Sequence, residues 1–133
     1  MAIIIDNILL NSLTEEAKAS PRLRKNLDLR NEGESQSQRM LNAIEPGSLV
    51  PVHRHRSSME TVVCIRGHIR QIFYDDNGEV VETVDLMPGG DVAAVNIPMG
   101  QWHTVEVLES GTVIMEVKDG PYEPLQECDV LKV

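Results

Sequence analysis

Three of the four histidines and one glutamate stand at spacings that let their side chains converge. His53-Arg54-His55 places two imidazoles at i and i+2, on one face of an extended strand, so both can enter the same cavity. A turn through Arg56-Ser57-Ser58 can bring Glu60 back beside them from the next strand. His103, just after the tight Pro98-Met99-Gly100 turn, can complete the set from a distant strand. Imidazole nitrogens with one carboxylate suit a single divalent transition metal ion: iron, manganese, zinc, nickel, cobalt or copper. With no thiolate among them, the four fit no closed zinc-finger type of site. His68 lies outside this pattern and reads as a solvent-facing histidine.

The elements that must position these groups follow from the turn signals. After residue 37 the pattern has period two, and β-branched stretches are separated by Glu45-Pro46-Gly47, Asp75-Asp76-Asn77-Gly78, Met87-Pro88-Gly89-Gly90, Pro98-Met99-Gly100 and Glu109-Ser110-Gly111. Short strands at such spacing indicate an all-β sandwich or barrel. Asn77-Gly78, between strands at Ile69–Tyr74 and Glu79–Val84, predicts a type I′ hairpin. Upstream, Ser12-Leu13-Thr14-Glu15 is a capping-box signature that predicts a short helix to about Ala19. Ser20-Pro21 predicts a second helical turn through about Asn26, and the polar stretch from Asn31 to Ser37 reads as a loop. Residues 1–36 are thus expected to form an N-terminal strand and short helices packed on a barrel of residues 37–133, in one structural domain.

Composition excludes several classes. The 133 residues carry a net charge of −9 and only 3% aromatic residues, which disfavours phosphate backbones and base stacking, so nucleic acid is no expected partner. No apolar stretch approaches the roughly 18 residues a membrane span needs. The apolar run Ala2 to Leu10 is broken by Asp6 and Asn7 and has no basic flank, which argues against a signal peptide and points by elimination to the cytoplasm. Cys64 and Cys128 read as reduced thiols, Cys64 as a small filler on the face of Glu60.

Charge is uneven: residues 1–70 carry 10 basic and 8 acidic side chains, residues 71–133 only 2 and 13. Arg24 and Arg39 are candidate substrate contacts, because a guanidinium grips a carboxylate or phosphate bidentately beside a cationic metal; the competing reading is ion pairing with the acidic half. Tyr122, between Pro121 and Pro124, is either packing or a phenol at a pocket rim. Trp102 must point away from His103 and is expected under the N-terminal segment or at a subunit contact.

These residues resemble the cupin superfamily. Its first motif, G-x5-H-x-H-x4-E-x6-G, is matched by Gly47, His53, His55, Glu60 and Gly67. The second, G-x5-P-x-G-x2-H-x3-N, is matched by Pro98, Gly100 and His103 but carries Val92 and Val107 at its ends. The chain is further similar to the WbuC family of small cupin metalloproteins through Ser20 to Asn26, Gln38 to Gly47, Pro98 to Thr104 and Glu116 to Tyr122. The resemblance implies a mainly β fold, a double-stranded β-helix (cupin barrel, or jelly roll) with a short helical N-terminal segment. It also implies a metal in the open mouth on His53, His55, Glu60 and His103, with Glu116 lining the pocket, and a role in surface-polysaccharide metabolism. Three readings stand: an isomerase, epimerase or dioxygenase acting on a small anionic or sugar-like molecule, a non-catalytic binding module for such a molecule, and a partner-binding scaffold. Ile3-Ile4-Ile5 is either a homodimer contact or an intramolecular strand.

Overall fold

Residues 1–30 and 36–133 are described in the structure, a computed structural model of the chain. The chain opens with one helix, α1 (Asn7–Ala19), whose N-terminus is capped by Asp6: its carboxylate accepts from the Leu9 amide at 3.0 Å. Leu9, Leu10, Leu13 and Ala17 share one face of α1 and pack on Leu41, Ala43 and Val113. That face decides the boundaries, so Ser12 sits inside the helix and caps nothing. Ser20 closes the helix with extended ψ 139, because a residue before proline is pushed out of the helical region. The Ser20-Pro21 pair is therefore a stop rather than a second start. No strand forms before α1, and Ile3, Ile4 and Ile5 are exposed.

Where a second helical turn was expected, the chain instead enters β1 (Arg24–Asp28). The others are β2 (Ser37–Ile44), β3 (Val52–His53), β4 (Glu60–Arg66), β5 (Ile69–Tyr74), β6 (Val80–Leu86), β7 (Ala94–Ile97), β8 (Trp102–Val107), β9 (Val113–Asp119) and β10 (Val130–Leu131). They form two five-stranded antiparallel sheets, ordered β1-β2-β9-β4-β7 and β10-β3-β8-β5-β6. β1 pairs along its length with β2 and so forms the edge of the first sheet. Of the expected loop at 31–37, residues 31–35 lie outside the described residues and Ser37 already begins β2. Among the described residues no helix is long and apolar enough to cross a membrane.

Alternation places Ile44, Val62, Cys64 and Ile114 of the first sheet against Ile69, Phe73, Leu86 and Val107 of the second, forming the core between them. The β5–β6 hairpin differs from expectation. The Gly78 amide bonds Asp75 O at 3.1 Å and Gly78 alone in the turn has positive φ (81°), with a register shift at Phe73/Tyr74. This is a turn followed by a glycine bulge, and it is favoured because the Asp75 carboxylate caps the Asn77 and Glu79 amides at 2.9 and 3.0 Å.

Two motif glycines do different work. Gly67 (φ 91°) leaves room for the Thr112 backbone, whose Cα would lie 2.7 Å from an added Cβ, whereas Gly100 (φ 79°) has nothing within 4 Å. Gly67→Ala should cost about 3 kcal/mol or more and Gly100→Ala about 1 kcal/mol, from backbone strain with and without overlap. Urea denaturation of both variants checks this; equal losses would contradict it.

Candidate metal centre

His53 ends β3 and pairs in register with His103 on β8. His55 follows in the connection to β4, and Glu60 opens that strand on the inner face of the other sheet. A backbone bond stitches the two motif segments: the Gly100 amide donates to His55 O at 2.9 Å. One ligand atom from each of His53, His55, Glu60 and His103 lies within 4.8 Å of every other. His55 Nε2 is 3.0 Å and His103 Nε2 3.5 Å from Glu60 Oε2.

The protons decide what this cluster is. His53 Nδ1 contacts Pro51 O and His103 Nδ1 contacts Gln101 O, both at 2.8 Å. A carbonyl only accepts, so each Nδ1 carries a proton and each ring is oriented with Nε2 toward the cluster. Burial, then neighbouring His103, pushes His53 down to about 4, so it stays neutral at physiological pH. Burial pushes Glu60 up, but the His103 and His55 imidazoles outweigh it and hold the carboxyl well below the usual range. Among the described residues, buried Glu60 Oε2 has no hydrogen-bond partner. Imidazole nitrogens and an orphaned carboxylate oxygen, all converging, fit a divalent cation.

The set opens on a cavity of about 250 Å3. Arg24, Glu116 and Tyr122 line it, the last at its exposed rim. Arg39 does not: it shares the outer face of β2 with Leu41 and Ala43, and its guanidinium reaches Ser37 Oγ at 3.4 Å. Alternate strand residues face opposite sides, which keeps it off this cavity. Trp102 is buried beneath Arg54, whose guanidinium carbon lies 4.3 Å from the ring centroid, and its indole N–H donates to Asp76 at 2.9 Å. It therefore packs neither on the N-terminal segment nor in the cavity. His68 is half-buried beside Asp85, at 3.0 Å, and Cys64 fills the core as expected, burial pushing its thiol up.

Asn42, Gln71, Lys118 and Glu123 also line the cavity and were not singled out in the sequence. The signal for Lys118 was present, since it stands at i+2 from Glu116 on β9. Asn42 donates to Glu116 Oε1 at 3.3 Å. Burial, then the Glu60 charge, raises the Glu116 carboxyl to about 7.

The sequence model of a family described as a domain of unknown function, DUF6016, matches residues 5–86. The chain belongs to this family. No curated protein matches it. Among solved structures, KdgF from Halomonas sp. is similar at a TM-score of 0.61 and 14% identity, over 77% of this chain and 84% of its own. The capsular polysaccharide assembling protein CapF from Staphylococcus aureus is similar at 0.60 and 18%, over 75% of this chain and 32% of its own. A mutant of Bacillus subtilis oxalate decarboxylase is similar at 0.57 and 22%, over 74% and 25%. The chain thus spans about a third of CapF and a quarter of the decarboxylase. These likenesses show the fold, which is that of the cupins.

The Glu116 shift has a consequence for stability in chelator-treated protein. Between the ordinary value of 4.5 and about 7 the folded carboxyl keeps a proton that the unfolded chain releases, so Glu116 costs stability as pH rises through this window. Glu116→Gln, which keeps an acceptor for Asn42, should raise the melting temperature most above pH 7 and least near pH 4.5. A gain independent of pH would contradict the assignment.

Proposed function

We propose that the protein is a small mononuclear metallocupin that chelates a small anionic molecule on a divalent ion and acts on it by proton transfer. The observation that carries this is the convergence of three imidazoles and Glu60 Oε2 within 4.8 Å, with Nδ1 of His53 and of His103 committed to carbonyls. Four protein ligands around a six-coordinate ion leave two positions open, which distinguishes a reactive site from a closed structural one. Bound there, the ion would act as a Lewis acid on a ligand oxygen. Arg24 offers the ligand a guanidinium from β1, and Glu116, not spent on the ion, holds or gives up a proton at its carboxyl. Tyr122 at the rim offers a phenol.

A role in surface-polysaccharide metabolism, an isomerase or epimerase reaction and a place in the WbuC family agree with the motif segments and with the name of CapF. Manganese agrees with the Mn(II) centres of Bacillus subtilis oxalate decarboxylase. The exposed Ile3, Ile4 and Ile5 support a homodimer contact.

Elemental analysis of protein purified without chelator or affinity tag should find near-stoichiometric metal, and a His53→Ala/His103→Ala double variant should lose it. Metal at about 100 times its dissociation constant should stabilise the wild type by about 2.7 kcal/mol and leave the variant unchanged. A metal-free wild type with the same melting curve in every metal would sink the proposal. Ligand binding without turnover would make the protein a binding module instead of an enzyme.

A further inference from the structure

Three cations line the cavity, Arg22, Arg24 and Lys118, and none of them makes an ion pair among the described residues. Arg24 arrives from β1, and its enclosed Nε makes no hydrogen bond among the described residues. Lys118 arrives from the inner face of β9, directly across from Glu60 on β4. Among the described residues it nonetheless makes no ion pair or hydrogen bond, although its charge acts on both Glu60 and Glu116. Residues 71–133 hold 13 acidic side chains and only Lys118 and Lys132 as bases. A half-buried ammonium at a cavity, with no carboxylate at ion-pair distance, has lost hydration that an incoming anion can replace.

Lys118 also stands where two cavities share a wall. A second, outer cavity of about 480 Å3 carries Arg54, Arg56, Ser57 and Ser58, and both cavities are lined by His55, Lys118, Glu123 and Leu125. In the outer one Asp129 already occupies Arg56 at 2.6 Å and Arg54 at 3.3 Å, so Lys118 is the free cation at the junction. The inner cavity has room for about eight water volumes, which suits a small molecule. A monoanion held at the histidine and glutamate set would leave Lys118 unpaired.

We propose that the ligand carries two anionic groups, one held at the His53, His55, Glu60 and His103 set beside Arg24, and the other by Lys118 at the junction of the two cavities. This rests on the metal reading above and adds the ligand class.

Calorimetric titration of metal-loaded protein with succinate against butyrate, and glutarate against valerate, tests it. One diacid should bind about tenfold tighter than its monoacid, as a second charge-assisted contact provides. Lys118→Met should bring that ratio to within about twofold, leaving monoacid affinity and metal content unchanged, while Lys118→Arg should keep it. No diacid preference in the wild type, a preference that survives Lys118→Met, or equal weakening of both acids in that variant would each overturn the proposal. Failure of the metal reading shows separately: chelator-stripped protein should lose affinity for both acids. If it instead keeps a Lys118-dependent diacid preference, the metal reading falls and the Lys118 contact stands.

Discussion

Four electron-pair donors brought within 4.8 Å of one another repel unless positive charge stands between them, and this chain spends much of its architecture holding four together. The repulsion cannot relax by rotating His53 or His103, because their Nδ1 protons are committed to the carbonyls of Pro51 and Gln101. Nor can it relax by separating the strands. His53 and His103 are register partners, and the Gly100 amide pins the third histidine's backbone. Glu60 comes from the opposite sheet, so the distance between sheets, set by the apolar core, fixes the fourth donor. At the far end of β4, the Gly67 turn rests on Thr112 and the buried Glu45 carboxylate accepts from Ser110 and Gly111 at 2.5 and 2.7 Å. Packing energy is thereby converted into preorganisation of a cation site.

The same alternation builds core and site, and the inner face grades from one to the other. Along β2 it runs Gln38, Met40, Asn42, Ile44; along β4, Glu60, Val62, Cys64; along β9, in reverse, Lys118, Glu116, Ile114. Register pairs these into rows: Gln38, Lys118 and Glu60 across one end, Asn42, Ile114 and Cys64 further in. The apolar end is closed and gives cohesion, while the polar end is open and gives chemistry. Polar groups at the transition are partly satisfied: the Asn42 amide donates to Glu116, while its buried Oδ1 has no partner among the described residues.

How much of this was legible depended on the range of the interactions. His53, His55, Glu60 and His103 could be read because strand parity and glycine-bounded turns are local rules that survive folding. The sheet architecture could be read from the turn signals for the same reason. Ser12 and Ser20 misled because a capping signal is weak beside the burial of Leu10, Leu13 and Ala17 on the outer face of the sheet, and beside the pairing of β1 with β2. Asn77-Gly78 misled because the Asp75 side chain offered the turn a better set of partners than the dipeptide alone suggests. Arg39 was grouped with Arg24 by charge, although parity on β2 already separates it from Asn42. Lys118 carries the converse signal: parity places it beside Glu116, but as a lone base in an acidic stretch it belongs to no cluster.

That lone base shows why net charge is a poor guide to this site. At −9 the molecule as a whole repels anions, but at about 0.1 M salt that repulsion is screened beyond roughly 10 Å. Within the cavity the relevant charges are a few ångströms from any occupant and partly out of water, so screening hardly touches them. Glu116 has its carboxyl raised to about 7, which withdraws local negative charge, whereas Glu60 stays ionised within the histidine set. Arg22, Arg24 and Lys118 line the same cavity, with Glu123 among them. Net charge and cavity charge are thus separate quantities: the first is summed over the whole surface, the second over the few side chains that line the opening above the histidine set.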